Sequence, residues 1–125
     1  MPDACQYDPL LRFNSASGRW VTQAPVCCVW NGVFIEVPVG FATDLATIPF
    51  PLTAISHRYG PYNRAVIIHD WIYAQLGRVA DDVTMTRKEA DDLMYSLMIQ
   101  DGTPRWKAAL MWAAVRANPQ VWGRF

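Results

Sequence analysis

At 125 residues and 14.2 kDa the chain has the length of one domain. Lys and Arg total 11 and Asp and Glu total 11, a formal charge of zero, which excludes nucleic acid as a bulk electrostatic partner because tracking phosphates takes excess positive charge. With 52% hydrophobic and 18% charged residues, the chain can bury a core and is not disordered by composition.

The opening residues, Met1-Pro2-Asp3-Ala4-Cys5-Gln6, hold neither a basic cluster nor an apolar run of signal-peptide length. Short β-type runs with turn residues between them follow. Ser17-Gly18 precedes Arg19–Thr22, and Asn31-Gly32 separates Val26–Trp30 from Val33–Val37. Asn-Gly between β-branched and aromatic residues is a strong hairpin signal, because a tight primed turn needs positive φ at both central positions. Residues 8–39 are therefore predicted to form a three- or four-stranded antiparallel sheet. Cys5, Cys27 and Cys28 are odd in number, and adjacent cysteines do not easily bridge. They are expected as small apolar side chains, not as a disulfide framework or a zinc site.

Residues 40–63 read as a loop, after which the periodicity turns helical. In segment 64–76, Ala65, Ile68, Ile72 and Leu76 recur at helical spacing and form one apolar stripe. Segment 77–85 reads as a loop around Gly77 and Asp81-Asp82. Segment 87–100 opens on Thr86-Arg87-Lys88-Glu89, a capping-box sequence with Thr86 as N-cap, and continues with Ala90, Leu93, Met94, Leu97 and Met98 as its stripe. In segment 104–117, Thr103 is the expected N-cap and Pro104 the first helical residue, with Trp106, Ala109, Leu110 and Ala113 facing inward. The fold class is α+β: a small N-terminal antiparallel β-sheet followed by three helices, two of them carrying a His/Asp site, in one domain over residues 1–125. No apolar run is long enough to cross a bilayer.

Three groups of residues can carry chemistry. His69 and Tyr73 are four apart and share a helix face, with Asp70 beside them. A histidine after the run Ala65–Ile68 is commonly a core residue satisfied by one hydrogen bond. The adjacent aspartate argues for more, since ionisable groups among apolar residues are costly unless paired. On the next helix, Asp92 pairs with Lys88 four residues away on the solvent side. Asp91 instead lies along the buried stripe, three and seven residues from Met94 and Met98. An inward carboxylate facing an inward histidine predicts a His69–Asp91 pair, in which the aspartate fixes the imidazole tautomer and stabilises the imidazolium. The third group is Asp44 and Thr47, in the loop Gly40–Pro49. They read either as a turn or helix cap or as a polar floor to the His69 site.

The string Val37-Pro38-Val39-Gly40-Phe41-Ala42-Thr43-Asp44-Leu45-Ala46-Thr47-Ile48-Pro49, followed by His69-Asp70-x-x-Tyr73, Ala90-Asp91, Pro104-Arg105-Trp106 and Ala114-Val115-Arg116, resembles a family of small phage and prophage proteins of unassigned function. His69-Asp70-x-x-Tyr73 on one helix with Ala90-Asp91 on the next is also similar to the core of phospholipase A2, especially its short viral form. That second resemblance implies His69 as the base that activates water for ester attack, Asp70 as a calcium ligand, and Tyr73 and Asp91 as hydrogen-bonding members of the active-site network. Asp44 is the candidate second metal-ligating carboxylate, and Thr47 a supporting residue. The glycine-rich calcium loop of those enzymes has no counterpart here, where only Tyr59-Gly60-Pro61 precedes the helix. The expected function is hydrolysis of an ester or lipid with calcium as the implied cofactor. The alternative is a non-catalytic virion or assembly protein, in which the same residues form a buried polar lock and the partners are other phage structural proteins or further copies of the chain. Both readings place synthesis in the host cytoplasm.

Overall fold

The computed structural model describes residues 9–43 and 63–117. In chain order the elements are β1 (Leu11–Asn14), β2 (Arg19–Thr22), β3 (Val26–Trp30), β4 (Val33–Val37), β5 (Ala42–Thr43), α1 (Asn63–Ala74), β6 (Arg78–Ala80), β7 (Val83–Thr84), α2 (Arg87–Gln100) and α3 (Arg105–Ala117). The architecture is α+β, an N-terminal antiparallel sheet region followed by three helices.

The N-terminal strands do not make one sheet, as predicted, but two. β1, β2 and β5 form a three-stranded antiparallel sheet, and β3–β4 is a separate hairpin. Asn14 closes the first hairpin by accepting the Ala16 amide on its side-chain oxygen at 3.0 Å. Asn31 and Gly32 turn the second hairpin with φ of 48° and 78°, the primed-turn geometry that Asn-Gly announces. Thr22 draws β5 onto β2: its hydroxyl donates to the Pro38 carbonyl at 2.8 Å and accepts from the Phe41 amide at 3.0 Å. This contact carries Thr43 toward the helices. Cys27 departs from the expectation of unbridged cysteines, since it takes part in a disulfide. Cys28 is a buried free thiol whose pKa burial pushes up to about 11.

α1 is the central element. Ten of its twelve residues are buried, from Asn63 to Asp70 without a break and then Ile72 and Tyr73. An unbroken apolar run suits a helix enclosed on all sides, here by α2, β3 and β4. Leu76, expected on its stripe, lies past its end with φ of 55° and is 57% exposed. Gly77 donates back to the Ile72 carbonyl at 2.9 Å and Leu76 to that of Tyr73 at 3.0 Å, so the chain turns out of the helix in a Schellman motif. The predicted loop 77–85 is instead the β6–β7 hairpin, turned at Asp82 with φ of 61°.

α2 spans the predicted residues. The Thr86 hydroxyl accepts the Glu89 amide at 3.1 Å, and the Glu89 carboxylate accepts the Thr86 amide at 3.0 Å. α3 begins at Arg105, and its face is not the expected one. Ala108, Met111 and Val115 point inward, while Trp106 is 59% and Leu110 46% exposed. Thr103 does not act as N-cap, and its buried hydroxyl has no partner among the described residues.

Candidate functional site

α1 and α2 pack side by side and bring His69 against Asp91. The imidazole Nε2 lies 2.6 Å from Asp91 Oδ1, and the two side chains are 1% and 0% exposed. One turn further along α1, the Tyr73 hydroxyl donates to the same Oδ1 at 2.6 Å. The His69 and Tyr73 rings sit 4.4 Å apart between centroids, as four-residue spacing on a helix allows. From α3, Arg116 donates to Asp91 Oδ2 at 2.9 Å. One buried carboxylate thus accepts from three side chains on two neighbouring helices. Burial alone would raise the Asp91 pKa, but the bonds from His69, Tyr73 and Arg116 outweigh it and hold the carboxyl below its ordinary value. The Tyr73 hydroxyl is pushed up by burial and by its bond to Asp91, against the opposing Arg87 guanidinium, so it stays a donor.

His69 Nδ1 is buried and has no hydrogen-bond partner among the described residues. With Nε2 committed to a carboxylate, the neutral ring carries its proton on Nε2 and turns the Nδ1 lone pair away from Asp91. Asp70 points to a different neighbour: the Thr43 hydroxyl donates to its Oδ2 at 2.5 Å, joining β5 to α1. A cavity of about 210 Å³ opens beside these two residues, lined also by Arg19, Phe41, Tyr73 and Ala74. Asp92 faces outward as expected and pairs with Lys88 at 2.8 Å. It also accepts the Trp112 indole N–H at 2.8 Å, which clamps α3 to α2.

Of the sequence-predicted residues, His69, Tyr73 and Asp91 come together, and Asp70 stands next to them on its own hydroxyl partner. Asp44 and Thr47 lie outside the described residues. Thr43 and Arg116 were not singled out, although both sit in the quoted strings. Arg116 is the last-turn arginine of a helix whose docking no local pattern reports. Calcium takes six to eight oxygen ligands. Among the described residues no group of three or more His, Cys, Asp or Glu side chains could hold a metal ion, and Asp44, the second candidate ligand, lies outside them.

The family model described as Protein of unknown function (DUF1353) matches residues 20–115, a span from β2 to the last turn of α3. No curated protein and no solved structure matches the chain.

Proposed function

The chain belongs to the DUF1353 family, and we propose that it is a small hydrolase of esters or lipids in which His69 is the general base and Asp91 its orienting partner. The observation that carries this reading is the division of labour on one imidazole: Nε2 held by Asp91 at 2.6 Å and Nδ1 without a partner among the described residues. A base of this kind takes a proton from water at Nδ1 as the water oxygen attacks the ester carbonyl. The imidazolium so formed is stabilised by Asp91, and the proton passes on to the departing alkoxide. Tyr73 and Arg116 hold the carboxylate in place and act as positioning residues. The cavity beside Asp70 and Tyr73 is the proposed substrate entry; His69 itself does not line it, so the reading requires the site to open toward Nδ1. No step is routed through a metal ion. The proposed setting is phage-encoded, in keeping with the resemblance of the strings around Gly40–Pro49 and His69–Tyr73 to small phage and prophage proteins.

A second reading is favoured by one observation, the near-complete burial of His69 and Asp91. In it the four side chains are a polar lock that fixes how three helices dock in a virion or assembly protein. His69→Asn separates the two. In a hydrolase it abolishes turnover of phospholipid vesicles and simple chromogenic esters while lowering stability by about 1–2 kcal/mol. In a lock it costs about 3–5 kcal/mol, because the buried Asp91 carboxylate loses one of its three donors and keeps only Tyr73 and Arg116. A wild-type protein inert on both substrate classes, with and without added calcium, overturns the hydrolase reading and directs the search to purified particles.

A further inference from the structure

The cavity between β5 and α1 differs in character from floor to mouth. At its floor Thr43, Asp70 and Tyr73 are buried and already engaged, the Thr43 hydroxyl on Asp70 and the Tyr73 hydroxyl on Asp91. Phe41 supplies a half-buried apolar wall, and at the mouth stand Ala74 and Arg19, both exposed. Arg19, the first residue of β2, is the exception to the engagement. Its guanidinium enters no ion pair and no side-chain hydrogen bond among the described residues. A planar cation with five N–H donors is therefore left to offer at the rim.

We propose that this cavity binds a small organic anion, its carboxylate or phosphate group on Arg19 at the mouth and its uncharged body inward along Phe41. Guanidinium matches either group with two parallel hydrogen bonds. The orientation follows from charge, since the Asp70 carboxylate at the floor repels a negative end and turns it toward the mouth. At about 210 Å³ the cavity is smaller than those that take drug-sized ligands, so the body is a short chain. As a statement about substrate this rests on the hydrolase reading, and it makes the substrate an ester that carries its own negative group. The binding itself requires no turnover.

The test is titration of the isotope-labelled full chain with hexylphosphonate, which holds no ester, and with 1-hexanol, its uncharged counterpart. Binding is followed on the backbone amide signals of Phe41, Thr43 and Ala74. Hexylphosphonate is expected to bind about tenfold or more tightly than hexanol and to be weakened by salt. Arg19→Gln is expected to lose about that factor for the phosphonate while keeping hexanol affinity and the wild-type thermal transition. Arg12→Gln removes the same charge from β1, outside the cavity, and is expected to bind as wild type. Equal affinity for the two ligands, no shift with hexylphosphonate, or an Arg19→Gln variant that binds it like wild type overturns the proposal. Vesicles of ether-linked phosphatidylglycerol that displace the phosphonate identify a lipid headgroup as the anion's source, and failure to displace it identifies a soluble ester; both support the rim site. Rates on 3-acetoxypropylphosphonate and on propyl acetate separate this inference from the hydrolase reading. Hydrolysis of both with equal kcat/KM overturns the anion site and leaves that reading standing. Phosphonate binding lost in Arg19→Gln, with neither ester hydrolysed, supports the site and counts against the hydrolase.

Discussion

Three donors converge on the Asp91 carboxylate from His69, Tyr73 and Arg116, and their sum decides its protonation against the burial that opposes it. Because the folded pKa lies below the unfolded value of about 3.9, the native state binds fewer protons than the unfolded chain in that range. The stabilisation is therefore fully present above the unfolded value and is lost as pH falls through the folded one. Urea midpoints followed from pH 7 to pH 2 should fall on the acid side of about pH 4, and the drop should be shallower in Asp91→Asn, which has no carboxyl to titrate. At pH 7 that variant should be about 3–5 kcal/mol less stable than wild type, since the three donors lose their anion in a buried place. A variant as pH-sensitive as wild type would show that other carboxylates govern the acid limb. Much of this network is legible in the sequence. His69, Asp70 and Tyr73 stand at fixed helical offsets, and Asp91 is conspicuous as an acid on an apolar stripe. Thr43 and Arg116 are not legible, because each arrives from an element whose placement is settled by packing far along the chain.

Local signals at the element scale succeed where one physical rule acts alone and fail where two compete. The capping box at Thr86 and the Asn31-Gly32 turn are such rules, and α2 and the β3–β4 hairpin occur where they indicate. α3 is the opposite case. Its sequence, RWKAALMWAAVRA, is apolar around most of its circumference, so periodicity offers several stripes of similar strength. Met111 and Val115 fill the core, and Trp106 and Leu110 are left outside. The end of α1 shows a related conflict. A helix that leaves through a Schellman motif needs left-handed backbone at the position after its cap, which glycine adopts without strain, yet Leu76 occupies it with φ of 55°. Its side chain is largely exposed, so little burial is lost on removal. Leu76→Gly should therefore stabilise the protein by about 0.5–1 kcal/mol, the relieved strain exceeding the added freedom of the unfolded chain. Chemical denaturation gives the sign directly, and a less stable variant would mean that Leu76 contributes packing that outweighs its backbone cost.

For the whole molecule, α1 is pinned to α2 at two points, and the site is only one of them. The other is Arg64, in the first turn of α1, which meets Asp101 just past the end of α2. Its Nε and one terminal nitrogen reach the two carboxylate oxygens at 2.8 and 2.9 Å, and the remaining nitrogen donates to the Cys27 carbonyl of β3 at 2.9 Å. The side chains are 7% and 4% exposed, so this two-pronged pair is shielded from water and salt. One arginine thus ties the central helix to both the helical layer and the β3–β4 hairpin, and the His69–Asp91 contact lies on the helix pair that it aligns. Arg64→Met should cost about 3–5 kcal/mol, because it leaves Asp101 charged and buried without its partner. Asp101→Leu should cost a similar amount for the converse reason. The double variant should be less damaging than the sum of the two, by about 1–3 kcal/mol, since two apolar side chains leave no orphaned charge. A denaturant double-mutant cycle measures that difference, and a coupling near zero would show that the pair orients α1 without stabilising it. The same variants bear on the site. If Arg64 sets the alignment of α1 on α2, Arg64→Met weakens the His69–Asp91 contact along with the fold, and the downfield imidazole proton signal expected for a short Nε2–carboxylate bond broadens or disappears.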